Sequence, residues 1–305
     1  MSVFDKVRVL DGGMGFLLMD MGYTVKGDSL WSSRLVKTNP EVVIAAHKRW
    51  LEAGANILET NSYQAALPVL IKDYGFDEAQ QLLKSSVQLA RQAVEEWRKE
   101  SKDTEREIFV AGSIGPYGAQ FCDFSEYTGS YMKTADPKAI SSYYRAQSEA
   151  LLAAGVDLLA FETIPILSEA IVVAEMLKEL GPSQPAWISF SCKNAEETCG
   201  GDKFSEVVKI LSPYQDVSAV GINCTPPDYI IPLLRSAQQA ANCDKPFVVY
   251  PSSGNLETGN IRESKHLEAF VEVWTSLGCR VIGGCCQVGP EDIKNIATKI
   301  GQIVK

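Results

Sequence analysis

Two cysteines, Cys285 and Cys286, stand side by side behind a Gly-Gly pair in "VIGGCCQVGP" (281–290). Adjacent thiols admit three readings: inert packing, a strained vicinal disulfide, or two metal ligands. Cys224, in "AVGINCT" (219–225), closes another short apolar run. Three thiolates match a catalytic zinc site with three protein ligands and an open fourth position. Successive residues of a regular strand point to opposite faces. Cys285 and Cys286 therefore reach one ion only where the backbone turns, and Gly283 and Gly284 would permit that turn and a close backbone approach. Taken alone, Cys224 reads as a buried apolar thiol. Zinc is favoured if Cys224, Cys285 and Cys286 all lie at strand ends on one rim. The vicinal disulfide is the minor reading, since it strains the backbone and a reducing compartment disfavours it.

Carboxylates come next. Asp11, in "RVLDGG" (8–13), and Glu162, in "DLLAFETIP" (157–165), also end apolar runs. A carboxylate so placed serves as general base, metal ligand or clamp for a cation; with no ligand spacing around either, a substrate ammonium is the simplest partner. Glu59, in "NILETNS" (56–62), reads equally well as a structural hydrogen-bonding group. The other five cysteines carry no such pattern. Cys122, Cys199 and Cys243 fall in predicted loops or helix ends, Cys279 precedes the last apolar run, and Cys192 ends another. His47 and His266 fall in predicted helices and read as surface residues, so a His-dependent triad has little support.

These residues need elements that bring them together. Besides the runs already quoted, four recur: "IFVAGSIGP" (108–116), "AWISFSC" (186–192), "PFVVYPSS" (246–253) and "RVIGGCC" (280–286). Continuous rather than alternating apolar runs suit parallel strands buried on both faces. Helical patterns separate most of them. In "NPEVVIAAHKRWLEAG", Asn39 is placed to cap, Pro40 takes the first helical position, and Val43, Ala46, Trp50 and Ala53 repeat at helical spacing before Gly54. "DPKAISSYYRAQSEALLAAG" repeats the design from Asp136 and Pro137 to Gly155, with Ile140, Tyr143, Leu151 and Ala154 as its buried stripe. Eight such βα units predict a (β/α)8 TIM barrel, with the site at the C-terminal strand ends. A doubly wound open sheet is the runner-up, but no dinucleotide fingerprint follows the first strand. One domain over 1–305 is expected, since no linker or low-complexity stretch interrupts the pattern.

Bulk properties narrow the class. Hydrophobic residues make up 46% and charged residues 22% of the chain, enough apolar content for a large core and no sign of global disorder. A net charge of -9, without a dense Lys/Arg block, argues against nucleic-acid binding. No apolar stretch approaches the roughly 20 residues of a membrane span. The start has no basic leader before an apolar run, so a cytoplasmic location is expected. No partner protein is implied.

Taken in order, "DGGMG" (11–15), "ETNSYQA" (59–65), "AGSIGPYGA" (111–119), "SEYTG" (125–129), "FETIP", "GINC" (221–224), "VVYPSSG" (248–254) and "GGCC" (283–286) resemble the zinc-dependent homocysteine S-methyltransferases. "GINC" followed by "GGCC" is the most specific part. The resemblance spans essentially the whole chain and is closest to cobalamin-independent members that use S-methylmethionine or S-adenosylmethionine. It is looser to the betaine-using and cobalamin-dependent branches. One local departure is Gln287-Val288-Gly289. The resemblance implies zinc on Cys224, Cys285 and Cys286, the homocysteine ammonium on Asp11 and Glu162, and its carboxylate on amides near Gly12, Gly13 and Thr60.

The chemistry that follows is methyl transfer from a sulfonium donor to L-homocysteine, giving L-methionine. A free thiol has a pKa of about 8.5, so only a few per cent is thiolate near neutral pH. A sulfonium departs neutral, so no general acid is required, and alignment is the protein's main task. Tyr63, Tyr117 and Tyr127 are candidates, by loop position, to hold the cation against their rings. The alternatives are betaine as donor, a related thiol or selenol as acceptor, and a zinc-binding barrel with no turnover.

Overall fold

A computed structural model describes residues 2–25, 27–181, 185–240, 244–253 and 266–303. All eight expected strands form: β1 (Arg8–Val9), β2 (Ile57–Glu59), β3 (Phe109–Ile114), β4 (Leu158–Ile164), β5 (Ala186–Phe190), β6 (Ala219–Asn223), β7 (Phe247–Tyr250) and β8 (Cys279–Ile282). They are parallel and paired in the order β1-β8-β7-β6-β5-β4-β3-β2. The remaining gap, between β1 and β2, is bridged by Leu10 and Ile57. Asn56 N–H donates to Val9 O (2.7 Å) and Asp11 N–H to Ile57 O (3.1 Å), so the sheet closes on itself as a TIM barrel.

The barrel helices follow in sequence. They are α1 (Pro40–Glu52), α2 (Phe76–Ser101), α3 (Pro137–Ala153), α4 (Leu167–Leu180), α5 (Phe204–Leu211), α6 (Pro227–Ala240), α7 (Val271–Ser276) and α8 (Pro290–Ile303). Pro40 and Pro137 open α1 and α3 as expected, because a proline ring suits the first helical turn. Asp136 accepts a hydrogen bond from Lys138 N (3.0 Å), whereas Asn39 caps α1 through its backbone carbonyl alone. Along each strand, side chains alternate between two layers. Leu10, Ile57, Ala111, Ala160, Trp187, Val248 and Val281 fill the barrel, while Val9, Leu58, Val110, Leu159, Ile188 and Ile282 pack against the helices. Burying one such side chain contributes about 1.5–3 kcal/mol before chain entropy is set against it. Arg8 plugs the N-terminal end of the barrel, donating to Val3 O (3.0 Å) and Glu107 (3.2 Å).

Three local expectations are corrected. The first strand is short, because the chain leaves the ladder at Asp11 and enters a helix at Met14–Asp20. Cys279 opens β8 rather than preceding it. His47 is fully buried in α1 instead of lying on the surface, and neither ring nitrogen has a hydrogen-bond partner. Cys243 and the final Gly254 of "VVYPSSG" lie outside the described residues. Among those residues no helix is long and apolar enough to cross a membrane.

Burial lowers the His47 pKa to about 3 from an ordinary 6.5. The folded state thus refuses a proton that the unfolded chain accepts below about pH 6.5, so stability falls as pH drops through that window. The loss by about pH 5 is expected to be ~2 kcal/mol. Urea midpoints of the protein and of His47→Leu at about pH 7 and pH 5 check this. The variant should show the smaller fall; equal slopes would refute it.

Candidate functional site

The three cysteines predicted as ligands come together. Cys224 follows β6, and Cys285 and Cys286 follow β8, two strands away around the rim. Their sulfurs all lie within 4.8 Å of one another. Cys286 Sγ is 3.8 Å from that of Cys224 and 3.9 Å from that of Cys285. Cys224 and Cys285 are joined sulfur to sulfur, with Cα atoms 5.6 Å apart, and Cys286 is a free thiol. Burial pushes the Cys286 thiol up to about 12, with Glu162 adding to the shift. A thiol in that setting keeps its proton at neutral pH unless a cation compensates the thiolate. Three sulfurs within one ion's reach, in a setting that favours a cation, are a donor set that fits a soft or borderline metal.

The backbone around them is built by close approach. A Cβ on Gly13 would sit 2.6 Å from Cys285 O, and one on Gly284 would sit 2.0 Å from a Val288 methyl carbon. Gly284 N–H donates to Asp11 O (3.0 Å), which ties the end of β8 to the end of β1. The expected glycine turn is only half right: the left-handed residue is Gln287 (φ 62°), not Gly283 or Gly284. Cys224 (φ 46°) and Thr163 (φ 61°) are also left-handed, and such positions cost non-glycine residues about 1–3 kcal/mol each.

Asn223 offsets part of that cost, and the sequence reading passed over it. Its Oδ1 accepts from Thr163 N (2.8 Å), its Nδ2 donates to Thr163 Oγ1 (2.8 Å), and Ser189 bonds the same Oδ1 (3.0 Å). Thr163 Oγ1 in turn lies 4.0 Å from Cys224 Sγ. Asn223 thus sets the orientation of a cysteine from the neighbouring position. The only sequence signal was its place inside "GINC".

The carboxylates converge as well. Asp11 Oδ2 accepts from Glu59 N (3.0 Å), whereas Asp11 Oδ1 and Glu59 Oε1 are buried without a partner. Glu162 accepts from the Ser113 hydroxyl. Burial is the largest cause holding all three carboxyls above their ordinary range, Glu162 at about 7; the charge of Glu162 raises Asp11 and Glu59 further, and that of Asp11 raises Glu59. Among the described residues no Lys or Arg pairs with any of them. Glu59 therefore joins the cluster rather than standing in a closed hydrogen-bond network. Gly12 and Gly13 follow Asp11 directly. Thr60 is differently employed: its amide donates to Ala111 O (2.9 Å), and its hydroxyl bonds Ser62 (2.6 Å) and Ser113 N (3.0 Å).

The tyrosines divide. Tyr127 stands close enough to Cys286 for the charge of its thiolate form to act on the Tyr127 hydroxyl, and the buried Tyr63 hydroxyl feels Tyr127 and Glu126. Tyr117 instead packs its ring on Tyr143, Phe121 and Tyr131, at centroid distances of 5.2, 5.6 and 5.9 Å. Its amide donates to Glu169 Oε1 (2.8 Å), as does the Tyr144 hydroxyl (2.8 Å), and the Tyr131 hydroxyl bonds Glu169 Oε2. Glu169, fully buried on α4, thereby pins both ends of the 117–131 segment that carries Tyr127. No motif in the sequence marked it.

Barrel and rim together define an enzyme of the (β/α)8 class with its reactive groups at the C-terminal strand ends. The sequence profile described as homocysteine S-methyltransferase matches residues 8–300. The chain belongs to the homocysteine S-methyltransferase family. It is 37% identical to homocysteine S-methyltransferase 1 of Arabidopsis thaliana over 302 residues, covering 95% of this chain and 92% of that protein. It is also 37% identical to the betaine-homocysteine S-methyltransferase of Drosophila melanogaster over 285 residues, covering 88% and 86%. The metallated form of the homocysteine methyltransferase MmuM from Escherichia coli superposes with a TM-score of 0.85 at 35% identity, covering 97% of this chain and 96% of that one. The oxidized form of the same protein also gives 0.85.

Proposed function

We propose that this chain, acting as a single homocysteine-binding domain, transfers a methyl group from a sulfonium donor to the sulfur of L-homocysteine and releases L-methionine. The observation that carries this reading is the placing of three convergent cysteine sulfurs beside buried carboxylates that no cation among the described residues neutralises. A purely structural metal site has no need of those carboxylates, which speaks against a barrel without turnover.

Each part of the chain has a task. Asp11 and Glu162 hold the homocysteine ammonium, supplying the partner that Asp11 Oδ1 lacks. The amides of Gly12 and Gly13 receive the carboxylate; the Thr60 amide is already used, and Thr60 shapes the turn beside them. Fixing both ends of the amino acid aims its side chain at the cysteines. Cys224, Cys285 and Cys286 would hold zinc, which supplies a Lewis acid that keeps the acceptor sulfur deprotonated at neutral pH. Three thiolate ligands leave that centre electron-rich, so the acceptor sulfur stays nucleophilic. Tyr63 and Tyr127 face the sulfonium, while Tyr117 supports the segment that carries Tyr127.

Initial rates test the reading: reduced, zinc-supplemented protein with fixed homocysteine and, side by side, S-methylmethionine, S-adenosylmethionine and betaine. Methionine should form with at least one sulfonium and more slowly with betaine. Turnover with betaine alone would reassign the donor, and bound zinc without turnover on any donor would refute the enzyme reading. A selenol acceptor is assayed the same way.

A further inference from the structure

Beside the cysteines, a second acidic group has no use in the steps above. Glu126 lies in the short 3-10 turn Ser125–Tyr127, is 9% exposed, and has one carboxylate oxygen, Oε2, buried with no partner among the described residues. Its charge acts on the hydroxyls of Tyr63 and Tyr127, and the Tyr63 hydroxyl is likewise buried. Tyr127 in turn lies near enough to Cys286 for a charge there to act on its hydroxyl. An acid and two tyrosines thus sit together on the side of Cys286 lined by the 117–131 segment, apart from the Asp11 and Glu59 pair at the ends of β1 and β2.

A buried carboxylate oxygen without a donor is costly, at about 1–3 kcal/mol or more for a charged group. The arrangement is therefore complete only with a ligand that brings a hydrogen-bond donor and positive charge. A sulfonium brings charge but no N–H or O–H; it suits the face of an aromatic ring rather than a carboxylate oxygen. An α-ammonium brings three donors. We infer that Glu126 binds the α-ammonium of the methyl donor, with the Tyr63 and Tyr127 rings against its sulfonium, so that this pocket selects an amino-acid sulfonium. This rests on the sulfonium reading given above. Burial, the largest cause, holds the Glu126 carboxyl above its ordinary range, as expected of a group that awaits a cation. It also selects against betaine, whose quaternary nitrogen has no N–H to give.

The test compares S-methylmethionine with dimethylsulfoniobutyrate, the same sulfonium without its amino group, in the zinc-loaded wild type, Glu126→Gln and Glu126→Asp. Glu126→Gln should raise the KM for S-methylmethionine by about ten- to a hundredfold, the range for a lost charge-assisted hydrogen bond. Zinc content and the KM for homocysteine should be unchanged, and Glu126→Asp should recover part of the loss. Dimethylsulfoniobutyrate, read as substrate or as inhibitor constant, should bind wild type and Glu126→Gln within about twofold of each other. Equal losses for both sulfoniums, or an unchanged KM for S-methylmethionine, would overturn the assignment. Wild-type protein that forms no methionine from any sulfonium would instead sink the donor reading itself, so the two failures are separable.

Discussion

Cys285→Ala is expected to lose both zinc and turnover. The three sulfurs lie within 4.8 Å of one another, so each is within reach of a common ion and none is spare. Among the described residues no other His, Cys, Asp or Glu group gathers closely enough to replace one. Two ligands from Cys224 and Cys286 leave too few for a site that needs three and an open position. Metal content should fall from about one zinc per chain to a small fraction. The rate of methionine formation should fall by roughly a thousandfold or more, since Lewis-acid assistance is worth several kcal/mol at tenfold per 1.4 kcal/mol. Zinc should also raise the thermal midpoint of the wild type and not of the variant, because a ligand that binds only the folded state stabilises it. Cys122→Ser is the control: that thiol is exposed and belongs to no cluster, so metal and rate should hold. Retained zinc in Cys285→Ala would refute the ligand assignment.

The parts legible in the sequence were those whose residue types are dictated locally. Strands buried on both faces must be apolar throughout, so "DLLAFETI" and "AVGIN" announced β4 and β6. Because parallel strands in βα units all end on one rim, convergence of Cys224, Cys285 and Cys286 followed from element order alone. What stayed hidden depends on which segments meet. The Gly283-Gly284 pair suggests both a turn and a close approach; the close approach is there, with Gly284 making room for Val288, but the left-handed turn passes to Gln287. His47 was read by residue type, although it falls four residues after Val43 and three before Trp50, on the buried stripe of α1. Its spacing was the better guide than its polarity.

Asn223 and Glu126 show the same limit at the site. Both lie inside motifs that were recognised, yet a motif says nothing of which neighbour a side chain meets. The Asn223 amide acts by reaching Thr163 on a different strand, and Glu126 is distinctive because none of the described residues bonds its Oε2. Left-handed backbone at Thr163 and Cys224, held by that amide, is strain placed at the rim where the cysteine must be aimed. Sequence patterns that favour regular elements cannot foresee such residues, because they work against local preference.

Glu162→Gln is expected to make the protein more stable and a far poorer binder of homocysteine. Glu162 is 5% exposed, accepts from Ser113, and has its carboxyl raised by burial to about 7 from an ordinary 4.5. For an acid with a raised folded pKa, the folded state holds the proton more tightly than the unfolded chain. The penalty is absent below about pH 4.5, grows through the window up to pH 7, and is fully present above it. At about pH 8 it is on the order of 3 kcal/mol. Glutamine keeps an acceptor for Ser113 and carries no charge, so the variant should unfold at higher urea than wild type at pH 8 and at nearly the same urea at pH 4.5. Homocysteine reverses the comparison. Its ammonium compensates the wild-type carboxylate, whereas the variant leaves that cation with Asp11 alone, and the KM should rise by roughly a hundredfold. Stability therefore separates two meanings of a buried acid. A Glu162 kept only for packing would lose stability on substitution at every pH, whereas a Glu162 kept for a ligand's cation gains it where the carboxyl is ionised. Equal urea midpoints at both pH values would show that the charge was already compensated within the protein, and the ammonium assignment would fall with it.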